Sequence, residues 1–163
     1  LRAGAIARFS PIMEEVIRCA NAGTPVMGIC NGFQILIESG LLPGALINNK
    51  NVKFLSQNVT LKVASINSIF TEDLNVGQKL KMPIAHRQGN FFASDDMVKK
   101  LQDDDQVAFT YDDNPNGSMG NIAGIFNENH NVLGMMPHPE RAAESILGSS
   151  DGLAIFESMI GNI

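Results

Sequence analysis

At 163 residues the chain has the length of one domain and is long enough to bury a core. Hydrophobic residues make up 44% and charged residues 18%, the balance expected of a soluble globular protein, and no apolar run approaches the roughly 18 residues that cross a bilayer. The net charge of -5 leaves no basic footprint for nucleic acid or an anionic membrane surface, so the expected partners are proteins and small molecules, with no nucleic acid and no membrane.

Ser10, Pro11 and the apolar positions Ile12, Val16, Ile17 and Ala20 predict a helix over 11–22, with Ser10 as N-cap and Gly23 at the C-terminal end. Pro25 to Ile29 then reads as a short apolar strand, Gly28-Ile29-Cys30-Asn31-Gly32 as a sharp turn, and Phe33 to Ser39 as an amphipathic helix ended by Gly40. Leu41-Leu42-Pro43-Gly44 is a connection, and Asn48 to Asn51 a polar turn. Alternation of apolar and polar residues predicts strands over 58–64 and 78–86, the second delivering His86 at its end. Ser68 to Leu74 reads as a loop or helical turn whose Ile69, Phe70 and Leu74 pack inward.

Phe91-Phe92-Ala93 is a further apolar segment, 95–102 a short helix, and Asp103-Asp104-Asp105 a solvated acidic loop. Strands follow over 106–111 and 122–127, separated by the turn-rich Asn114-Pro115-Asn116-Gly117. The apolar run Val132 to Met136 leads into Pro137-His138-Pro139-Glu140-Arg141, and apolar residues at helical spacing predict a final helix over 151–163 with Asp151 as its N-cap. No repeat or low-complexity linker divides the chain, so 1–163 reads as one α/β domain with antiparallel additions.

The turn around Cys30 has the form of a nucleophile elbow, in which glycines relieve a strained strand-to-helix turn and leave the nucleophile open to approach. A cysteine there also meets the N-terminal N–H groups and dipole of a helix, which favour the thiolate. The plainer alternative is a small buried core cysteine. Near the other end of the chain, prolines on both sides of His138 disfavour helix and stiffen the backbone, and residues two apart in an extended segment point the same way. His138 and Glu140 can therefore lie side by side, the carboxylate fixing one imidazole nitrogen and leaving the other free as a base. The competing reading has His138 ending a strand and Glu140 paired with Arg141 in solvent. His130 reads as a surface turn residue, and His86 more as the polar end of a strand than as a site residue. Two cysteines, Cys19 and Cys30, are too few and too unevenly placed for a disulfide framework, which points to a reducing cytoplasm.

Gly28-Ile29-Cys30-Asn31-Gly32-Phe33-Gln34 and Pro137-His138-Pro139-Glu140 resemble the two signatures of the class I glutamine amidotransferases. Within that class the blocks 1–9, 30–36, 40–44, 83–86 and 134–141 resemble the glutaminase subunits of phosphoribosylformylglycinamidine synthase, over essentially the whole chain. The resemblance implies a flavodoxin-like, three-layer α/β fold forming a type 1 glutamine amidotransferase domain. It implies that Cys30 attacks the glutamine carboxamide, that His138 shuttles the proton and Glu140 holds His138, that the Asn31 N–H stabilises the oxyanion and that Gln34 helps seat glutamine. Ammonia would pass to a separate synthetase subunit, which amidates a formylglycinamide ribonucleotide in purine synthesis. ATP and Mg are expected on that subunit, with no cofactor and no metal on this chain, which has no phosphate-binding loop. Whether a small accessory subunit completes the complex stays open.

Two departures qualify the likeness. The chain opens on Leu1 without a signal-peptide pattern and reads as truncated at its N-terminus, without the first strands of the family and the glycine-rich turn that supplies a second oxyanion donor. Arg87-Gln88-Gly89 also stands where the resemblance leads one to expect Gly-Glu-Gly. The rivals are an amidotransferase with another acceptor, a noncatalytic assembly module and a cysteine peptidase of related fold.

Overall fold

The computed structural model describes residues 3–161, so Leu1, Arg2, Asn162 and Ile163, which belong to predicted segments, lie outside the described residues. In chain order the elements are α1 (Ala3–Ala7), α2 (Pro11–Asn21), β1 (Val26–Ile29), α3 (Asn31–Glu38), β2 (Ala45–Ile47), β3 (Leu55–Val63), β4 (Lys79–His86), β5 (Asn90–Phe92), α4 (Asp95–Asp103), β6 (Val107–Tyr111), β7 (Ile122–Phe126), β8 (Val132–Met135) and α5 (Leu153–Gly161).

Six strands form one mixed sheet in the order β1-β8-β7-β6-β3-β4. Only β1 and β8 run parallel; the other neighbours are antiparallel. Strands β7 and β8 are buried along their whole length, which explains why their sequences are continuous apolar runs rather than alternating ones. One face of the sheet packs against α2, α3 and α4 through Ala20, Phe33, Leu36, Val98 and Leu101. The other packs against Phe70, Leu74 and Ile155 of α5, completing three layers.

Several elements differ from their predicted form. Ser10 precedes α2 in extended conformation but its side chain makes no capping hydrogen bond, whereas Ser94 caps α4 by accepting from the Met97 N–H at 3.2 Å. Strand β3 begins three residues before the predicted start, because pairing with β4 as far as Leu55↔His86 holds Ser56, Gln57 and Asn58 in the ladder although all three are exposed and polar. Helix α4 runs through Asp103, the first residue of the predicted acidic loop. Helix α5 starts at Leu153, not at Asp151, whose carboxylate instead accepts the Lys81 N–H at 2.7 Å and ties this segment to β4. Helix α1 and the small sheet of β2 with β5 are too short for a periodic pattern to mark them.

The parallel pair positions the site. Val26↔Val132 through Ile29↔Met135 brings the C-terminal ends of β1 and β8 side by side, and the Cys30 N–H donates to Met135 O at 2.8 Å. The elbow and the segment Pro137 to Arg141 thus leave the sheet at the same end, where open α/β sheets present their ligands.

Candidate active site

The turn at Cys30 is strained as its glycine pattern implies. Cys30 has φ 53 and ψ -103, a conformation that costs a non-glycine residue on the order of 1–3 kcal/mol. Helix α3 starts at once, at Asn31 rather than at Phe33, so the first N–H of the helix, that of Asn31, meets the thiol. Gly28 is required by packing, since a Cβ there would stand 2.5 Å from Leu36 Cδ1 and 2.7 Å from the Gly32 carbonyl carbon. A Cβ on Gly32 would meet nothing within 4 Å, so no protein atom demands glycine there.

The expectation of a thiolate-favouring site is corrected by burial. Burial raises the Cys30 thiol above the ordinary cysteine value, outweighing the Asn31 N–H and the Arg141 cation that pull it down, while Glu140 adds a smaller push upward. The Cys30 Sγ lies 3.9 Å from the Ala85 carbonyl, within reach of donating to it.

His138 follows β8 and is held by its own N–H donating to Pro83 O at 2.9 Å. Its Nδ1 lies 2.6 Å from Glu140 Oε1, which fixes the tautomer with the proton on Nδ1 and leaves Nε2 buried without a hydrogen-bond partner. Glu140 also meets Arg141 Nε at 3.4 Å. The solvent pairing of Glu140 with Arg141 and the pairing with His138 therefore coexist on one carboxylate oxygen.

Cys30 and His138 line one cavity of about 480 Å³. Its walls come from the elbow (Asn31, Gln34), the end of β4 and the loop after it (Ala85, His86, Arg87, Gln88), Phe54 and Arg141. Gln34 is 7% exposed, with its carbonyl oxygen 3.4 Å from the Gly4 N–H of α1. Arg87 and Gln88, the departures from the expected loop, stand in the cavity wall, and the Gln88 amide donates to Asn48 Oδ1 at 3.3 Å. His130 lies in the turn before β8, with Nε2 3.2 Å from Asp105 O, apart from this cavity. Among the described residues no group of three or more His, Cys, Asp or Glu is placed to hold a metal ion. No described helix is long and apolar enough to cross a membrane.

The sequence marks His86 as the polar end of a strand; the structure places it in the site. His86 is buried in the cavity wall, and burial together with the His138 imidazole pushes its pKa down to about 4, so the ring is neutral at physiological pH. The available signal is an apolar strand ending in histidine. Its fixing by Asn49, from a polar turn 37 residues away, has no sequence signature.

A strained cysteine elbow and a carboxylate-held histidine that line one cavity, at the carboxyl ends of two parallel strands, have the arrangement of an α/β enzyme with a cysteine nucleophile. The CobB/CobQ-like glutamine amidotransferase domain family matches residues 2–152. The chain is 53% identical to phosphoribosylformylglycinamidine synthase subunit PurQ of Chlorobium luteolum, over 98% of this chain and 73% of that one. It is 52% identical to the subunit of the same name from Chlorobaculum tepidum, over 100% and 74%. A chain in the solved structure of PurLQS from Thermotoga maritima superposes with a TM-score of 0.91 at 43% identity, covering 99% of this chain and 72% of that one. At 15% identity and a TM-score of 0.58, a glutamine amidotransferase from Thermotoga maritima shares the fold over 90% of this chain and 67% of that one. This chain belongs to the class I glutamine amidotransferase family and, within it, to the PurQ subunits of phosphoribosylformylglycinamidine synthase.

Proposed function

We propose that Cys30, His138 and Glu140 hydrolyse glutamine to glutamate and ammonia, and that the ammonia serves the amidation catalysed by phosphoribosylformylglycinamidine synthase. The Cys30 sulfur attacks the carboxamide carbon while His138 Nε2 takes the thiol proton. This coupling suits a thiol that burial keeps protonated until substrate arrives. The new oxyanion accepts the Asn31 N–H directly after the nucleophile. His138 then returns the proton to the amide nitrogen, the C–N bond breaks, and ammonia leaves a glutamyl thioester on Cys30. Water, deprotonated by His138, attacks the thioester, and the sulfur departs as a thiol when glutamate is released. Glu140 stabilises the imidazolium formed in both halves, and Gln34 contributes to the glutamine seat.

The observation that carries the reading is the 2.6 Å His138–Glu140 pair, whose outward imidazole nitrogen is left without a partner in the cavity wall that Cys30 shares. Glutamine is the ligand of that cavity. The synthetase subunit PurL, with the small subunit PurS, is the partner that receives ammonia, and ATP and Mg belong to the synthetase. This chain works without a cofactor or metal of its own, in the cytoplasm. The test is glutamate release from glutamine with and without the synthetase, comparing wild type with Cys30→Ala. Release that rises with the partner and vanishes in Cys30→Ala supports the reading; equal release from Cys30→Ala overturns it.

A further inference from the structure

Beside the nucleophile and its base, the cavity wall holds a second imidazole that the reaction above leaves unused. His86 is 4% exposed at the end of β4, and its ring lies so close against Gly89 that a Cβ there would come within 2.7 Å of His86 Cγ. Asn49, 1% exposed, decides the state of this ring. Its Nδ2 donates to Lys53 O at 2.8 Å and His86 O at 2.9 Å, which orients the amide, and its Oδ1 accepts the Gly89 N–H at 3.3 Å. The same Oδ1 lies 3.1 Å from His86 Nδ1, so that nitrogen must carry the proton.

The other nitrogen, Nε2, is then a bare acceptor, buried and without a partner among the described residues. His138 Nε2 is in the same condition, its Nδ1 proton being engaged by Glu140. Both rings line the cavity that contains Cys30. A buried acceptor without a donor costs free energy, and a ligand entering the cavity is one group that can supply the missing partner. Two unpaired acceptor nitrogens on residues that line one cavity suit a ligand nitrogen bearing N–H bonds, and they repel carboxylate oxygen.

We propose that His86 is a substrate-contacting residue whose Nε2 accepts an N–H of the glutamine carboxamide and then of the departing ammonia, opposite His138. The assignment rests on the glutaminase reading and adds to it a basis for discrimination. The carboxamide of glutamine and the ammonia it yields satisfy this acceptor, whereas the carboxylate of the product glutamate does not. His86 takes no part in forming or breaking the C–S and C–N bonds; it positions the nitrogen that His138 protonates.

The test compares two substrates, using this chain in complex with its synthetase. Glutamine carries N–H bonds on its leaving group; the γ-methyl ester of glutamate acylates Cys30 through the same carbonyl, but its leaving oxygen bears no hydrogen until His138 protonates it, and the released methanol has only that one O–H, so the bound ester offers His86 no donor. Replacing His86→Leu is expected to lower kcat/KM for glutamine by about 10- to 100-fold, the loss expected when one buried hydrogen bond is not made, and to leave the ester within about threefold. Equal losses for both substrates overturn the proposal, because a merely structural histidine would affect them alike. Wild-type protein that hydrolyses neither substrate overturns the glutaminase reading itself.

A second measurement needs no change at His86. In ¹⁵N-histidine-labelled Cys30→Ala, glutamine should move the His86 Nε2 resonance away from the free-acceptor position and the γ-methyl ester should not. An Nε2 signal that stays still on saturation with glutamine, or that moves equally with the ester, overturns the proposal.

Discussion

Changing Glu140→Gln keeps the shape of the side chain and removes the charge that faces the His138 imidazolium. Glu140 Oε1 lies 2.6 Å from His138 Nδ1, and the side chain is 43% exposed. With charge centres about 4 Å apart and an effective dielectric constant of about 20, the attraction is about 4 kcal/mol, and screening at a half-exposed carboxylate brings it to about 2 kcal/mol. That stabilisation exists only when His138 is protonated, which in the proposed reaction happens on the way to the tetrahedral intermediate, so it acts on kcat. A loss of about 2 kcal/mol corresponds to about 30-fold in rate. Glu140 is not among the residues that line the cavity, so KM should stay within about twofold. Steady-state glutamate release at saturating and limiting glutamine separates the two constants. A kcat within about twofold of wild type would refute the reasoning, and a loss carried in KM would assign Glu140 to placing Arg141 in the cavity wall.

The close approach of α3 to β8 gives a stability prediction: a Cβ at Gly134 would overlap Phe33 and stand 2.5 Å from Leu42 Cδ1. Gly134→Ala should destabilise the fold by about 1–3 kcal/mol, read as a lower urea midpoint; an unchanged midpoint would refute this packing. His86 gives a prediction in pH. Its pKa is depressed in the folded state to about 4, so folding favours the neutral ring. The stability this contributes is fully present above the unfolded value near 6.5 and is lost as pH falls toward 4, in total about 3 kcal/mol. His86→Gln, which does not titrate, should lose less stability than wild type between pH 7 and pH 4.5 in urea melts; identical losses would contradict the neutral buried ring.

The parts of the site legible in the sequence are those that depend on local chain geometry. Glycines around Cys30 announce a turn, and prolines around His138 announce an extended segment in which Glu140 two residues on shares its side. The protonation of Cys30 was not legible, because the dipole of α3 is a local property whereas the burial that outweighs it depends on how β1 and β8 meet. The role of His86 was hidden for the same reason. Its strand is marked by alternation, but its tautomer is decided by Asn49 in the turn between β2 and β3, and a polar turn residue carries no sign of its distant partner. In the fold, the predicted cap at Asp151 failed because the carboxylate found a better donor in the exposed edge of β4 at Lys81. Helix α1 and strands β2 and β5 owe their existence to contacts, such as Gly4 against Gln34 and Gly44 against Phe91, rather than to any periodicity of their own.

The central chemical event of the proposed reaction is the formation of a covalent glutamyl group on Cys30. Acid quenching of the complex during turnover with glutamine, followed by digestion and mass spectrometry, should find a glutamyl adduct on the peptide containing Cys30, labile to hydroxylamine and absent from Cys30→Ala. An adduct located at Cys19, or turnover without any acyl-enzyme when thioester hydrolysis is rate-limiting, would contradict the account.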